Sequence, residues 1–435
     1  MVNRSYDVIV VGAGAAGLIA AGRAAEIGAR VLLIEKMRIS GKKIWITGKG
    51  RCNLTNTADI GTFIDHFGDN GRFLRQAFYA FTNVDLINFF TGIGFDTITE
   101  RGGRVFPVSE NAKDVVDTLQ RWCLKNGVTL LHNMRVVKIL YSTEGVQGLA
   151  ASPIMTDGGS DPTIGKEIIF HASKVILATG GASYPATGST GDGYLLAQQT
   201  GHTIVRMRPA LTPLVTAGNS AARLQGLSLK NVTIHVFIDD KKRFDMFGEM
   251  LFTHFGLSGP IILSASRTIV DALQENHRVA IAIDLKPALD EKMLDARLLR
   301  DLENQGNRKF KTILKGLLPN SLIPVCLEGT GIDADKPGHQ ISAVERKRLK
   351  LWLKDFRFSV IDYGKFDEAI ITAGGVATKE IDPRSMQSRL VPGLYFAGEI
   401  IDIDADTGGY NLQAAFSTGW VAGTHAASSL VQKSE

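Results

Sequence analysis

Residues 6–35 constrain the fold of this chain more than any other segment. They begin Tyr6-Asp7-Val8-Ile9-Val10-Val11-Gly12-Ala13-Gly14-Ala15-Ala16-Gly17 and close on Val31-Leu32-Leu33-Ile34-Glu35. The apolar run at Val8 to Val11 has the character of a parallel strand buried on both faces. Three glycines follow at G-x-G-x-x-G spacing. Gly12 permits a tight turn, Gly14 lets the backbone approach a pyrophosphate, and Gly17 lets helix and strand pack closely. The helix predicted from Ala15 to about Ile27 aims its N-terminal amides and positive dipole end at that phosphate. Residues 30–35 form the second strand. Glu35 ends it, where a carboxylate can accept both ribose hydroxyls at the spacing of about 20 residues that a dinucleotide site requires. The glycines alone would say little; strand, helix, second strand and terminal acid together specify a dinucleotide-binding βαβ unit. An acid at the ribose end favours FAD or NAD over NADP.

The rest of the chain has to decide between those two. At 435 residues and 44% hydrophobic it has the makeup of a globular protein of two or three domains. Its longest apolar runs are too short to span a bilayer, so no membrane association is expected, and the dinucleotide motif starts almost at residue 1, which argues against a signal peptide. The three cysteines, Cys52, Cys123 and Cys326, are widely spaced. They offer neither a disulfide framework nor a C-x-x-C metal or iron–sulfur site, and they point to a reducing cytoplasm. The net charge of +5 is scattered apart from Arg346-Lys347-Arg348-Leu349-Lys350, a pattern expected of a solvated helix face. Phosphate-binding proteins concentrate charge more strongly, which argues against a nucleic-acid partner.

Helical spacing is predicted around 72–81, 85–91 and 111–126, and strand character at 132–140 and 174–178. The run Asp157-Gly158-Gly159-Ser160-Asp161-Pro162 reads as a surface loop between two antiparallel strands. Past residue 205 the pattern becomes β-rich: 231–239 and 243–252 read as a hairpin turning at Asp240-Lys241-Lys242, followed by an apolar strand at 277–285. Residues 289–356 are rich in lysine and arginine with helical leucine spacing. Near residue 367 the α/β character returns. The chain is therefore expected to be α/β, with a Rossmann-type dinucleotide domain split across both ends (1–204 and 357–435), a β-rich insertion at 205–288 and a helical subdomain at 289–356.

Three distant segments point to one large cofactor. Ile176-Leu177-Ala178-Thr179-Gly180-Gly181 is a strand ending in a small-residue turn. Residues 394–399 are a second such strand, ending in Gly398-Glu399. Gly408-Gly409-Tyr410-Asn411-Leu412-Gln413 opens an amphipathic helix predicted over 411–422. Ligands of open α/β sheets sit outside such carboxyl edges. A flavin ring gains negative charge at its N1–O2 edge on reduction, and free amides of Tyr410, Asn411 and Leu412 at a helix start would stabilise it.

On these residues the chain resembles the bacterial flavoproteins grouped with BaiN and aminoacetone oxidase, part of the wider glutathione-reductase-type FAD fold and distantly related to fumarate reductases. The matching stretches are Gly48-Lys49-Gly50-Arg51-Cys52-Asn53-Leu54-Thr55-Asn56, Gly103-Arg104-Val105-Phe106-Pro107, Thr187-Gly188-Ser189-Thr190-Gly191-Asp192-Gly193-Tyr194, Phe252-Thr253-His254-Phe255-Gly256-Leu257-Ser258-Gly259-Pro260, and Gly398 through Gln413. The resemblance implies non-covalent FAD, a split FAD domain, and an inserted β-barrel followed by the helical subdomain. Gly41-Lys42-Lys43 stands where the family often has Gly-Arg-Lys, with the positive charge kept. The cofactor contacts expected are Gly12, Ala13, Gly14, Ala15, Ala16, Gly17, Glu35 and Lys36 at the adenosine end. Along the rest of the cofactor they are Lys43, Gly50, Arg51, Cys52, Asn53, Val137, Ala178, Thr179, Gly180, Gly398, Glu399, Gly409, Tyr410, Asn411 and Leu412.

The loop after the second strand holds a single cysteine, Cys52, so a dithiol relay lacks its partner. A reactive thiolate beside Arg51 competes with a turn that simply packs on the flavin. Residues 36–60 contain no histidine to anchor a covalent flavin. No second nucleotide domain is visible; Gly329-Thr330-Gly331-Ile332-Asp333-Ala334 reads as a turn. Any NAD(P)H would then bind transiently. Substrate-side candidates are His254 and Thr253 for proton transfer, Arg104 as a carboxylate clamp, and Tyr184 as a stacking or donor group. The expectation is an FAD-dependent oxidoreductase passing hydride through flavin N5, with NAD(P)H-linked reduction of an activated C=C bond of a small molecule as the favoured direction. The alternatives are a small-amine oxidase releasing peroxide and, from another class, a flavin-containing RNA-modifying or redox-sensing protein.

Overall fold

A run of Val8–Val11 with no polar side chain can be buried on both faces only if other elements cover it above and below, and this is the arrangement found. The computed structural model describes residues 4–155 and 163–431. Five strands, β1 (Val8–Val11), β2 (Val31–Ile34), β3 (Thr129–Leu131), β4 (Lys174–Leu177) and β5 (Leu394–Phe396), form a parallel sheet in the order β5-β4-β1-β2-β3. The register pairs Val10 with Leu33 on one side and with Ile176 on the other. The chain runs from β1 outward to β2, and β4 later pairs on the other flank of β1. The strand order therefore reverses between β1 and β4, where open α/β sheets bind ligands.

Two helices pack on this sheet, one against β1 and β2 and the other against β4 and β5. The first, α1 (Ala15–Glu26), is the crossover of the βαβ unit, and the second, α2 (Tyr410–Val431), is the last helix described. They meet through small residues. A Cβ added at Gly419 would lie 2.4 Å from Ala16 O, and one at Gly423 would lie 2.4 Å from Ala20 O. Glycine four residues apart on one helix thus admits the backbone of the other. This is why α2 runs nine residues beyond the 411–422 predicted: glycines that would weaken an isolated helix here make its packing possible.

The chain divides into two compact units, Met1–Pro209 with Ala369–Glu435, and Ala210–Glu368. In the first, Met134–Ser142 and Gly145–Met155 form an antiparallel ladder with Ile168–His171, and Thr163–Ile164 pairs back onto Ile154 and Met155. The loop expected at Asp157 to Pro162 lies outside the described residues.

The second unit contains a closed antiparallel barrel of six strands: Leu214–Thr216, Gly256–Ser258, Lys241–Phe252, Ser228–Ile238, Val279–Asp284 and Phe356–Tyr363. Its long hairpin turns on Asp239 and Asp240 (φ 48° and 62°), with Ile238 paired to Lys241. This two-residue turn with both residues left-handed is tighter than the expected turn at residues 240–242 and suits the twist of the flanking strands. The last barrel strand, Phe356–Tyr363, alternates buried and exposed residues. Sequence alone assigns most of it to the returning dinucleotide domain. The helices Glu291–Asn304, Leu322–Thr330 and Ala343–Lys354 lie in this same unit. The basic run 346–350 sits on Ala343–Lys354, where Arg346 pairs with Asp295 at 3.1 Å and Lys350 with Glu291 at 3.4 Å. Among the described residues, no helix is long and apolar enough to cross a membrane.

Candidate FAD site

The glycine turn after β1 shows three distinct constraints. Gly12 has φ 99°, and a Cβ there would meet Ala178 O at 2.5 Å; a Cβ at Gly17 would meet Gly12 O at 1.8 Å. These two positions are closed by the protein itself. At Gly14 an added Cβ would meet nothing within 4 Å. That position opens onto free space beside the start of α1, which has no side-chain cap on its amides. The protein's own packing does not require glycine there.

Glu35 follows β2 and is buried. Its Oε2 accepts the Ala13 N–H at 2.7 Å and its Oε1 the Met37 N–H at 2.8 Å, so the carboxylate is fixed against the glycine turn. Burial pushes its carboxyl above the usual range, with the Met37 and Ala13 amides pulling the other way. The neighbouring Lys36 bonds Thr190 and Asp192, the latter at 3.0 Å, and Arg135 reaches the other Asp192 oxygen at 3.3 Å. Val137 is half-buried on the adjacent antiparallel strand, its carbonyl accepting from Gln199.

Across the switch point, Glu399 collects donors from three separate segments. Lys43 Nζ lies 2.7 and 3.0 Å from its two oxygens, Ser183 Oγ donates at 3.0 Å and the Thr372 N–H at 2.8 Å. Lys43 also donates to Ser183 Oγ at 2.7 Å. Thr372 Oγ1 in turn accepts the Ala182 and Ser183 amides. Gly180 and Gly181 keep this approach open: a Cβ at Gly181 would lie 2.4 Å from Thr372 Oγ1 and 3.0 Å from Glu399 Oε1. Gly398 (φ 74°) brings the same edge against Ala16. Neither Ser183 nor Thr372 carries a sequence signal until the two segments are seen side by side.

The loop 47–53 turns through left-handed residues at Gly48, Lys49, Gly50 and Cys52 (φ 57°, 59°, 87° and 63°). Arg51 pairs with Glu100 at 2.7 Å and lies over the Phe106 ring. The Cys52 thiol is fully buried, and burial pushes it up to about 12, so it is held as a neutral thiol. At the start of α2, a Cβ at Gly409 would meet the Thr55 backbone at 2.5 Å, and Gly408 O accepts from Asn56 Nδ2. Asn411 folds the preceding loop back through bonds to both polar atoms of the Ala405 backbone, at 2.9 Å each. Tyr410 and Leu412 pack at the same helix start.

The fit of these residues to FAD can be judged from the polar atoms left over. Trp45 Nε1, Asn53 Oδ1 and Thr179 Oγ1 are buried without a hydrogen-bond partner among the described residues. Trp45 and Asn53 lie in the segment after β2, and Thr179 in the turn after β4, its Oγ1 beside Gly193. Buried polar atoms ordinarily find partners. An elongated ligand with phosphates, hydroxyls and ring heteroatoms would supply them, and Glu35, Lys43, Glu399 and the α1 and α2 amides match its parts. The residues fit.

The four substrate-side candidates come from separate segments of the chain. Arg104 is on the outer face of the hairpin Thr97–Thr99 and Arg104–Pro107, its guanidinium 3.7 Å from Glu100 and 46% exposed. It is engaged with an acid of its own hairpin. Tyr184 is a left-handed residue (φ 51°) whose carbonyl accepts from Thr187. Thr253 and His254 belong to the second unit, in a tight turn where the Thr253 N–H donates to Gly256 O and Thr253 Oγ1 accepts the Gly256 amide at 3.0 Å. His254 is exposed at its apex, with the edge of its ring against Phe255.

Comparison with known proteins bears on the same geometry. Residues 6–425 match the family described as HI0933-like protein Rossmann domain. The chain is 31% identical over 420 residues to the 3-dehydro-bile acid delta(4,6)-reductase of Clostridium scindens, covering 96% of this chain and 98% of that protein. It is 32% identical over 416 residues to the ribosomal RNA dihydrouridine synthase of Escherichia coli, covering 95% and 96%. Among solved structures, the 3-ketosteroid delta1-dehydrogenase of Sterolibacterium denitrificans aligns over 98% of this chain and 100% of that one, with TM-score 0.54 at 14% identity. That last likeness is one of fold.

Proposed function

Since the chain belongs to the HI0933-like family of FAD-dependent oxidoreductases, we propose that it reduces a C=C bond activated by a neighbouring carbonyl, with NAD(P)H as a transient electron donor. The observation that carries this reading is the β1/β4 switch point, where Glu35 is fixed against the glycine turn and Lys43 pairs with Glu399 beside β5. Two relatives support the choice of bond. One is named for reducing a 3-keto steroid with conjugated double bonds. The other is named for making dihydrouridine, in which the C5=C6 bond beside the uracil carbonyl is saturated.

When bound, FAD supplies hydride transfer through its N5. The chain's residues divide the remaining work. Glu35 would accept the ribose hydroxyls, and the amides at the start of α1 would hold the pyrophosphate. Lys43, paired with Glu399, would offset phosphate charge. The amides of Tyr410, Asn411 and Leu412 would stabilise the ring edge where charge develops. Saturating a C=C bond needs one hydride and one proton, the proton coming from a general acid of the protein or from water. Lys36, Val137, Gly50, Arg51, Cys52, Asn53, Ala178, Thr179 and Gly180 are proposed as packing or polar contacts to FAD.

The test is anaerobic. NADH or NADPH should bleach the visible absorbance of the FAD-loaded protein, and an enone steroid or ribosomal RNA lacking dihydrouridine should restore it. The +5 net charge argues only weakly against RNA, and the Escherichia coli relative makes RNA the second substrate class to offer. If nicotinamide failed to bleach the protein while a small amine and oxygen yielded peroxide, the chain would be an oxidase instead.

A further inference from the structure

We propose that His66 and Asp406 tune the reduction potential of the bound flavin, His66 acting as a positioning residue that holds the Asp406 charge away from the first amides of α2. This rests on the reading that the flavin ring lies at that helix start.

Asp406 is four residues ahead of Tyr410, the first residue of α2. The loop that carries it cannot swing away, because Asn411 Nδ2 donates to Ala405 O at 2.9 Å and to Asp406 O at 3.3 Å. A carboxylate is thus tethered beside a helix N-terminus proposed to stabilise negative charge on a ligand. Such an anion opposes the positive dipole end and makes the site less welcoming to a second one. Its influence is visible on Tyr410, whose hydroxyl is pushed up first by burial and then by the Asp406 charge.

His66 meets both groups at once. It ends the helix Ile60–His66, and its ring stacks on that of Tyr410 with centroids 3.8 Å apart and planes 23° apart. Its Nδ1 lies 3.0 Å from Asp406 Oδ2, and a nitrogen facing a carboxylate oxygen donates to it. Phe63, one turn earlier, meets Tyr410 with ring centroids 4.9 Å apart and planes near perpendicular. Of the neighbouring loop acids, Asp404 is buried and already engaged, and Asp402 is partly buried. The imidazole is therefore placed to take up the Asp406 charge in a hydrogen bond, leaving the α2 amides their field.

The experiment is the midpoint potential of the FAD-loaded protein and of two variants, Asp406→Asn and His66→Phe. Asp406→Asn removes the opposing charge and should shift the potential upward. His66→Phe keeps a ring on Tyr410 but leaves the carboxylate bare, and should shift it downward. A merely structural clamp predicts shifts of the same sign, because either change breaks the same hydrogen bond. Shifts of equal sign, or none in either variant, overturn the inference while leaving the FAD site standing. A wild-type chain that takes up no FAD overturns the site and this inference together.

Discussion

Lys43 Nζ lies 2.7 Å from one oxygen of Glu399 and 3.0 Å from the other, although the two residues are 356 positions apart. The pair joins the loop after β2 to the edge of β5, across the crevice where the strand order reverses. Both side chains are only about one-fifth exposed, at 21% and 20%. Lys43→Met should therefore weaken FAD retention by about 1–3 kcal/mol, because it strips a cation from the crevice and leaves Glu399 with an uncompensated charge. Titration of the apoprotein with FAD measures this, and Lys43→Arg should recover part of the loss.

Glu35→Ala should also cost about 1–3 kcal/mol in FAD affinity, since a charged acceptor for two hydroxyls is lost. Unchanged FAD occupancy in this variant would remove Glu35 from the ribose site.

The glycines separate protein packing from ligand space. A Cβ at Gly17 collides with Gly12 O at 1.8 Å, whereas one at Gly14 meets no protein atom within 4 Å. Gly17→Ala should lower the melting temperature of the apoprotein. Gly14→Ala should leave that temperature unchanged and still reduce FAD binding. Equal melting losses in the two variants would contradict the assignment of open space at Gly14.

Acid should destabilise the first unit through His202. Its imidazole is buried between Thr200 and Ser388, the latter at 2.7 Å, and burial holds its pKa below the ordinary histidine value. A depressed folded-state pKa means that the unfolded chain binds the proton first. The stabilisation is present above about pH 6.5 and is lost as pH falls below that value toward the folded pKa. Melting temperature should fall between pH 7 and 5 in the wild type and fall less in His202→Gln, whatever the variant's absolute stability.

Thiol chemistry should be silent in the folded protein. Cys52, Cys123 and Cys326 are all buried, and burial raises each to about 12. A thiol reagent at pH 8 should label none of them until denaturant is added; rapid native labelling of Cys52 would revive the reactive-thiolate alternative.

Where a feature is written in local spacing, it is legible without the structure. The run from Val8 to Glu35 is such a case, because one strand, one turn and one helix are contiguous and each residue type has a single geometric task. The start of α2 at Tyr410 is legible for the same reason. The far end of α2 is not, since Gly419 and Gly423 look like interruptions until Ala16 and Ala20 are set against them. The barrel strand Phe356–Tyr363 carries its alternation in plain view, but nothing local reveals that it pairs with Val279–Asp284 across the intervening helices. Glu399 is legible as an acid at a strand edge, whereas its partners Lys43, Ser183 and Thr372 come from three segments that only tertiary folding assembles. His66 carries no local signal at all; its meaning depends on a loop 340 residues away.

The most direct test of the account is the absorption spectrum of the purified chain after incubation with FAD and gel filtration, followed by denaturation. Flavin bands should travel with the folded protein, and denaturation should release FAD intact to the supernatant. A protein that stays colourless after exposure to FAD would contradict the account.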